Sequence, residues 1–277
     1  MIYSSTSFSL IPRSPALLSP MTFVPAFVPP VDALNRGGDA LWGNLGDWSR
    51  ASGYAEAAEA LALRLGHAAA LGPGQRVVDV GSGAGDQLRL WVRRFGVAHV
   101  TGVEKDVSLA GRARERLAGW GLADRVRVVA GEASVSPWTE GPVDAVVALD
   151  AAYFFASRSA FLGRCRSALR TEGVLALTDL LLGDGPAARL ARGVSPLFSV
   201  PRGGLLPEGR YRALLAKNGF EEVRIEDRTD DVLGGFARWT RGGGRDLALA
   251  ATGRVAGLLA RSESLRYVVV TARRGAG

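Results

Sequence analysis

The stretch from Val77 to Gln87, VVDVGSGAGDQ, constrains the fold more than any other part of the chain. Its first four residues are apolar except for Asp79, a pattern typical of a buried strand. An amphipathic run with apolar residues at helical spacing follows the turn, and the turn itself contains Gly81, Gly83 and Gly85. Strand, glycine turn and helix make the first half of a βαβ nucleotide site. Glycines let a ligand approach the main chain, and a helix start offers unpaired N–H groups to its polar or anionic end.

The glycine spacing distinguishes between two kinds of ligand. A dinucleotide fingerprint has the pattern G-x-G-x-x-G, whereas these glycines have the pattern G-x-G-x-G, and Asp86 takes the place of the last dinucleotide glycine. A carboxylate at that place would face the pyrophosphate of a dinucleotide, which disfavours an NAD oxidoreductase. By itself, the turn is also compatible with a tight strand-to-helix connection that binds nothing.

The run from Val77 to Gly85 resembles motif I of the class I S-adenosylmethionine (SAM) methyltransferases. SAM has no phosphate, so an acid after the last glycine is tolerable. The resemblance covers residues 34–273 and depends on several motifs in the right order. It implies an α/β, Rossmann-like fold with a seven-stranded, mostly parallel sheet, helices on both faces and an antiparallel last strand. It also implies SAM as the cofactor and membership of the small-molecule group of these enzymes.

Acids after the second and third predicted strands complete the cofactor site that the resemblance implies. Glu104 can accept hydrogen bonds from both ribose hydroxyls, a feature that NAD enzymes share. By position, Glu132 matches the family's acceptor for the adenine amino group, and the N–H of Ala133 matches the donor to a ring nitrogen. Each acid is alternatively an ordinary strand-end residue. The full predicted cofactor set is Trp48, Asp79, Gly81, Ser82, Gly83, Gly85, Gln87, Glu104, Lys105, Glu132, Ala133 and Leu149.

The fourth predicted strand ends in LDAAYFF, residues 149–155, at the sheet edge where open α/β folds bind ligands. This run is similar to the Leu-Asp-x-Ala-Tyr-His-Phe run of one group of small-molecule methyltransferases, with Phe154 in place of the His. We expect Asp150 to have a polar or basic role towards the acceptor and Tyr153 to orient it. Phe154 and Trp42 would form an apolar substrate wall. Alternatively, Asp150 binds the amino end of the cofactor or caps the next turn.

No histidine is expected to act as the base. A His base is efficient because its pKa lies near neutrality, but His67 and His99 are the only histidines, and neither follows the fourth or fifth predicted strand. An acceptor that is already nucleophilic or acidic would need no strong base. Examples are a carboxylate, an amine, a thiol and an acidic phenol.

Two segments outside the βαβ units are expected to cover the site. Asn44 to Trp48, NLGDW, is similar to the Asn-x-Gly-Tyr-Trp segment that helps to cover the cofactor in many of these enzymes, although Asp47 replaces the Tyr. Packing on the domain is the alternative. The segment belongs to an expected N-terminal cap over residues 34–70. Residues 183–207 break the strand and helix alternation, and we expect an insertion there that is either a lid or a dimer contact.

Residues 1–30 are rich in Ser, Pro and apolar residues, and we expect a flexible or cleavable leader there, followed by a single SAM-dependent methyltransferase domain over residues 31–277. An alternative start at Met21, an organellar transit peptide and an ordered arm remain alternatives. No apolar run approaches the length needed to span a bilayer. The expected location is cytoplasmic, or organellar if residues 1–20 are a transit peptide.

Composition disfavours several function classes. The formal charge of +7 results from 34 basic and 27 acidic residues, but the basic residues are spread along the chain, so a nucleic-acid surface is not indicated. The single cysteine, Cys165, excludes an internal disulfide, a cysteine-based zinc cluster and a two-cysteine C5 methylation mechanism. No metal site is expected.

The expected function is transfer of a methyl group from SAM to an O, N, S or C nucleophile of a small molecule, such as a natural product or a lipid-like metabolite. A homodimer is left open. One alternative is a nucleic-acid methyltransferase, but the fourth strand ends in LDAAY and lacks the Asn/Asp-Pro-Pro-aromatic run of adenine N6 enzymes. Another is a SAM-fold protein without methyl transfer, such as a SAM-assisted cyclase.

Overall fold

The computed structural model describes residues 31–135, 138, 139, 141–201, 203–242 and 247–276. The leader expected over residues 1–30 lies outside the described residues. The helices of the described part are α1 (Val31–Asn35), α2 (Tyr54–Ala68), α3 (Asp86–Phe95), α4 (Val107–Gly119), α5 (Arg158–Ala168), α6 (Ala188–Val194), α7 (Glu208–Lys217), α8 (Gly235–Gly242) and α9 (Leu247–Arg261). Its strands are β1 (Arg76–Val80), β2 (His99–Glu104), β3 (Val126–Ala130), β4 (Val143–Ala148), β5 (Leu169–Leu182), β6 (Leu206–Pro207), β7 (Phe220–Asp227) and β8 (Leu265–Arg274).

The strands form one mixed sheet in the order β3-β2-β1-β4-β5-β8-β7, and the short β6 pairs with the end of β5. The pairs from β3 to β5 are all parallel, whereas β8 runs antiparallel to both β5 and β7. The strand β7 therefore has the direction of the parallel strands, and β8 alone is reversed. This topology confirms the predicted mostly parallel sheet of seven main strands with an antiparallel last strand.

Alternate residues of the central strand β1 face two different cores, as the two-residue period of a strand requires. Val77 packs into a core with α2, α3, α4 and the C-terminal helices α8 and α9. Val78 packs on the opposite face with α5 and α7. Both faces of the sheet are covered, which explains why β1 is an almost continuous apolar run rather than an alternating one.

Two segments of the C-terminal half can be compared with their sequence pattern. The pattern predicts a turn over residues 170–173, but these residues are part of β5, where Glu172 has a φ of 62°. It also predicts a long helix from about Val232 to Ala260 that is interrupted at residues 242–244. The structure has a π-helical turn at Asp230–Gly234, then α8, which ends at Gly242, and α9, which begins at Leu247. The glycines thus mark the end of α8, as a helix-weakening run should, whereas the π-helical turn has no signal in the local pattern.

Two buried carboxylates hold the segment from Leu41 to Leu45, here called the cap segment, across the carboxyl ends of the strands. The Asp86 carboxylate, at the start of α3, accepts a hydrogen bond from the backbone N–H of Leu41 at 3.0 Å. The Asp150 carboxylate, just after β4, accepts one from the backbone N–H of Leu45 at 2.7 Å. The hydroxyl of Tyr54 on α2 contacts two backbone carbonyls of the segment. The cap segment is thus fixed mainly through its backbone.

The charge of Asp86 is compensated by Arg116 of α4. Asp86 is only 3% exposed, and the Arg116 guanidinium donates to both of its carboxylate oxygens and to the backbone carbonyls of Asp39 and Ala84. A buried carboxylate needs such a partner, because removing the cation leaves an uncompensated charge.

No helix of the described part is long and apolar enough to cross a bilayer.

Replacing Arg116 by Met should therefore destabilise the protein by about 3 kcal/mol, because buried Asp86 would keep only the longer contact with Arg89 at 3.9 Å. The matched control is Arg112→Met, four residues earlier on α4. Arg112 forms a more exposed ion pair with Asp32 at 3.6 Å, and its loss should cost less than about 1 kcal/mol. Urea unfolding at neutral pH measures both changes, and equal losses would contradict the anchoring role of Asp86.

Candidate active site

A polar cleft lies between the cap segment and the carboxyl ends of β1 and β4, where parallel sheets bind their ligands. It encloses about 380 Å³. We call it the glycine-loop cleft, and it is lined by Leu41, Trp42, Gly43, Asn44, Gly81, Ser82, Gly83, Ala84, Asp86, Gln87, Leu149 and Asp150.

The glycines of the turn have different structural roles. Gly81 has a φ of 83°, and a Cβ added there would lie 2.3 Å from the Cβ of Ala151. Gly83 has a φ of 57°, and a Cβ there would meet nothing within 4 Å. The N–H groups of Gly81 and Ser82 both donate to the carbonyl of Val103, which ties the turn to β2. Packing and backbone conformation therefore require glycine at 81, whereas Gly83 leaves open space over the turn.

Asp79 lies behind the glycine-loop cleft and acts on it through Gln87. Its carboxylate is fully buried and accepts hydrogen bonds from Gln87 Nε2 at 2.9 Å and from Trp91 Nε1 at 2.6 Å. Burial raises the pKa of Asp79 to about 7, although both hydrogen bonds lower the pKa. Gln87 lines the cleft itself, so Asp79 positions a lining residue.

The predicted ribose and adenine acids lie side by side at the ends of β2 and β3. The Glu104 carboxylate accepts hydrogen bonds from the N–H of Gly83 at 2.8 Å and from the N–H of Asp106 at 2.9 Å. A carboxylate accepts about four hydrogen bonds, so Glu104 retains acceptor capacity for hydroxyl donors. Glu132 pairs with Lys105 at 2.9 Å, and Ala133 follows it, largely buried.

Asp150 is the most constrained polar residue of the site. It has a φ of 50°, unusual for a residue with a side chain. Its carboxylate accepts hydrogen bonds from the N–H of Leu45 and the hydroxyls of Thr178 and Tyr267, and the hydroxyl of Tyr153 lies beside it. Burial raises its pKa, and the hydrogen bonds oppose the rise. These donors hold the carboxylate in place at the edge of the cleft.

A second, apolar space adjoins the cleft. We call it the apolar cavity. It lies between the cap segment, the turn that contains Tyr153 and Phe154, and α6, α8 and α9. Both of these aromatic residues line it, with ring centroids 4.4 Å apart. Gly43 lines both spaces. Because Tyr153 lines the cavity and its hydroxyl lies beside Asp150, which lines the cleft, this pair connects the two spaces.

The two tryptophans of the N-terminal cap lie in different places. Trp42 is buried and lines the glycine-loop cleft, not the apolar cavity. Trp48 lies outside the cleft lining, stacks on Trp239 with ring centroids 5.3 Å apart, and donates its Nε1 to the carbonyl of Leu45. Asp47, buried beside it, pairs with Arg64 at 2.6 Å. The cap segment, rather than Trp48, is the part of the NLGDW region that reaches the cleft.

Both histidines lie away from these spaces. His67 is on α2, with its ring edge-on to Phe95 at 5.1 Å. His99 begins β2 at the amino-terminal edge of the sheet, opposite the cleft. Within the described residues no group of three or more His, Cys, Asp or Glu is arranged to hold a metal ion.

Three partners of Asp150 are not identified by the sequence reasoning. Thr178 lies on β5 and Tyr267 on β8, far apart in the chain, and the third partner is the backbone N–H of Leu45. The β5 and β8 register pairs Leu180 with Tyr267 and brings the tyrosine to the site. These contacts depend on the register between the two strands, and a register is not encoded in a local pattern.

Comparisons with known proteins identify the class to which this arrangement belongs. A family model described as a methyltransferase domain matches residues 77–173. The chain is 30% identical over 200 residues to erythromycin 3''-O-methyltransferase of Saccharopolyspora erythraea, covering 69% of this chain and 65% of that enzyme, which is just under two thirds. It is 30% identical over 195 residues to 27-O-demethylrifamycin SV methyltransferase of Amycolatopsis mediterranei, covering 68% of this chain and 71% of that enzyme.

The fold has a counterpart among solved structures. The cyclase SpnF superposes with a TM-score of 0.72 at 20% identity, and the match covers 91% of this chain and 94% of that one. The sheet order, the glycine turn and the acids at the strand ends define a class I methyltransferase fold. The chain belongs to the methyltransferase domain family, within the class I SAM-dependent methyltransferases.

The buried Asp79 predicts an unusual pH dependence of stability. Its folded pKa of about 7 lies above the ordinary value of 3.8, so the folded state binds more protons than the unfolded state between these values. Stability should therefore fall as pH rises from about 4 to about 7, with a slope approaching 1.4 kcal/mol per pH unit, and the slope should vanish above this window.

Asp79→Asn removes this titration. Its free energy of unfolding should therefore rise by about 2 kcal/mol relative to that of the wild type as the pH increases from about 5 to about 7. Urea unfolding of both proteins across this range measures the difference. Parallel pH profiles would show that Asp79 is ionised in the folded protein throughout the window.

Proposed function

We propose that this protein transfers the methyl group of SAM to a nucleophilic atom of a small molecule. The main observation in support of this proposal is that the glycine-loop cleft and the apolar cavity adjoin each other. Asp150 lines the polar glycine-loop cleft, Tyr153 lines the apolar cavity, and the tyrosine hydroxyl lies beside the carboxylate. A methyl donor and its acceptor must meet in line, and this junction is the place where occupants of the two spaces would do so.

The residues of the glycine-loop cleft fit SAM. The open space over Gly83 accepts a ligand against the main chain, and Glu104 has acceptor capacity left for the ribose hydroxyls. Glu132 and the N–H of Ala133 suit the adenine edge. Gln87 and the backbone around Gly81 are available to the methionine end. Bound there, SAM would supply an activated methyl group on its sulfonium.

On the acceptor side, the chain contributes alignment and exclusion of water. We infer that Tyr153 contacts the acceptor, and that Asp150 holds the tyrosine hydroxyl and the cap segment in place. Tyr153 lies beside Asp150, so its oxygen can accept a hydrogen bond from the acceptor. As the methyl group is transferred, the proton of the acceptor would pass to the tyrosine oxygen and the tyrosine's own proton to the Asp150 carboxylate. Phe154 forms part of the apolar wall, whereas the position of Trp42 suits contact with the cofactor side. No histidine takes part in this scheme.

We infer a cytoplasmic enzyme whose partner is a small-molecule acceptor rather than a nucleic acid. The cavity that would receive the acceptor is apolar, whereas nucleic-acid surfaces are basic. A homodimer is compatible with the exposed surface of the helices around the cavity.

A second candidate function is cyclisation without methyl transfer, with SAM as a bound but unconsumed group. The fold likeness to the cyclase SpnF supports this candidate. The two functions differ in one chemical outcome, because a transferase converts SAM to S-adenosylhomocysteine and a cyclase of this kind leaves SAM intact.

Titration calorimetry with SAM and with NAD tests the cofactor assignment. We expect SAM to bind and NAD to bind weakly or not at all. Glu104→Gln should weaken SAM about tenfold or more, because it removes a charged acceptor of the ribose hydroxyls. Glu115→Gln, on the exposed face of α4, is the matched control and should bind SAM normally. Binding of NAD without SAM would contradict the proposal, and an unchanged SAM affinity in Glu104→Gln would remove that residue from the site.

Kinetics of acceptor-side variants test the roles of Tyr153 and Asp150. Tyr153→Phe keeps the ring and removes the hydroxyl, so kcat should fall about tenfold to a hundredfold with unchanged SAM affinity. Asp150→Asn should also lower kcat if its role is on the acceptor side, whereas a loss of SAM affinity alone would assign it to the cofactor. His67→Ala and His99→Ala are the controls. If either keeps its fold and loses turnover, the scheme without a histidine base is wrong.

A further inference from the structure

We propose that the methyl acceptor is an uncharged, largely apolar molecule that presents a hydroxyl group to Tyr153. This inference rests on the proposed function and narrows its substrate class. It excludes phosphorylated, carboxylate and ammonium acceptors, which the proposed function by itself allows.

The lining of the apolar cavity has no charge to balance that of a ligand. None of its described lining residues is an Asp, Glu, Lys, Arg or His. A charged group taken from water into such a space without a partner costs several kcal/mol. The apolar wall, in contrast, favours a neutral hydrocarbon surface by roughly 25 cal/mol per Å² buried.

The hydroxyls of the cavity donate to the protein itself. Ser195 donates to the carbonyl of Arg192 at 3.1 Å and Thr252 to the carbonyl of Ala248 at 2.9 Å, while the Tyr153 hydroxyl lies beside the Asp150 carboxylate, which can take its proton. Each hydroxyl has one proton to donate, so these groups act towards a ligand as acceptors. An anion needs donors, whereas an alcohol or a phenol supplies its own proton. The polar groups of the cavity therefore suit a hydroxyl ligand and not an anion.

One helix supplies a continuous apolar wall. The residues of α9 that line the cavity follow a helical stripe, with apolar Val255, Ala256 and Leu259 after Thr252. The apolar surface continues towards solvent, because Phe154 is 38% exposed and Leu190, next to the lining residue Ala191 on α6, is 58% exposed. These features fit an apolar ligand.

Matched probes that share a skeleton and carry either a neutral hydroxyl or a charged group in its place test this substrate class. The protein is saturated with S-adenosylhomocysteine, and the affinities of naphthol and testosterone are compared with those of their sulfate esters and ammonium analogues by calorimetry. We expect at least one neutral alcohol to bind about tenfold or more tightly than either of its charged analogues. A charged analogue that binds as tightly as its alcohol would overturn the proposal, and so would failure of both alcohols to bind.

A pair of lysine substitutions on α9 locates the bound probe. Val255→Lys puts a cation into the cavity wall, so the neutral probe should lose about tenfold or more in affinity and the sulfate ester should gain. Leu258→Lys, on the exposed side of the same helix, should change neither. Equal losses in both variants would show that the probe binds elsewhere.

The affinity for S-adenosylhomocysteine distinguishes failure of the proposed substrate class from failure of the proposed function. If it is retained in both variants while the charge preference is absent, only the substrate class is wrong. If the wild-type protein binds neither S-adenosylhomocysteine nor SAM, the proposed function itself fails.

Discussion

Two buried carboxylates, Asp86 and Asp150, fix the cap segment over the carboxyl edge of the sheet, and both candidate binding spaces depend on this attachment. Each acid accepts a backbone N–H from one end of the segment. Between these two points lies Gly43, which lines the glycine-loop cleft and the apolar cavity alike. Burying two acids is unfavourable unless each carboxylate has a cation or hydrogen-bond donors as partners. The fold supplies different partners to the two acids. A cation from α4 neutralises Asp86, whereas hydroxyl and amide donors hold Asp150.

The two spaces have opposite chemistry, and the sheet topology explains why they adjoin. The glycine-loop cleft forms where the chain leaves β1 and β4, so backbone amides and strand-end acids surround it. The apolar cavity forms above β5 and β8, where the 3-10 turn Ser195–Phe198, α6, α8 and α9 cover the sheet. Tyr267 links the two regions, because it lies on the reversed strand β8 and its hydroxyl donates a hydrogen bond to Asp150. The reversed last strand thus contributes directly to the candidate reaction site.

The sequence predicts the parts of this molecule that follow local periodicity. The βαβ units and the glycine turn agree with the structure, because burial on both faces and glycine conformations leave a local pattern. The reversed last strand also agrees, but the family resemblance implied it and no local pattern did. The contacts that depend on register and on chain-distant partners are beyond such patterns. Arg116 as the partner of Asp86, Tyr267 and Thr178 at Asp150, and the α9 wall of the cavity all belong to this group. Trp48 illustrates the same limit, since a motif resemblance does not determine which neighbour a tryptophan packs against.

The most direct test of the central claim follows the methyl group itself. The purified protein is incubated with SAM labelled in its methyl group and with a fractionated metabolite extract, and both the label and the S-adenosylhomocysteine are quantified. The account predicts that label enters a small, apolar product and that S-adenosylhomocysteine forms in equal amount. Conversion of an extract component while SAM remains intact, or label recovered only in nucleic acid, would contradict it.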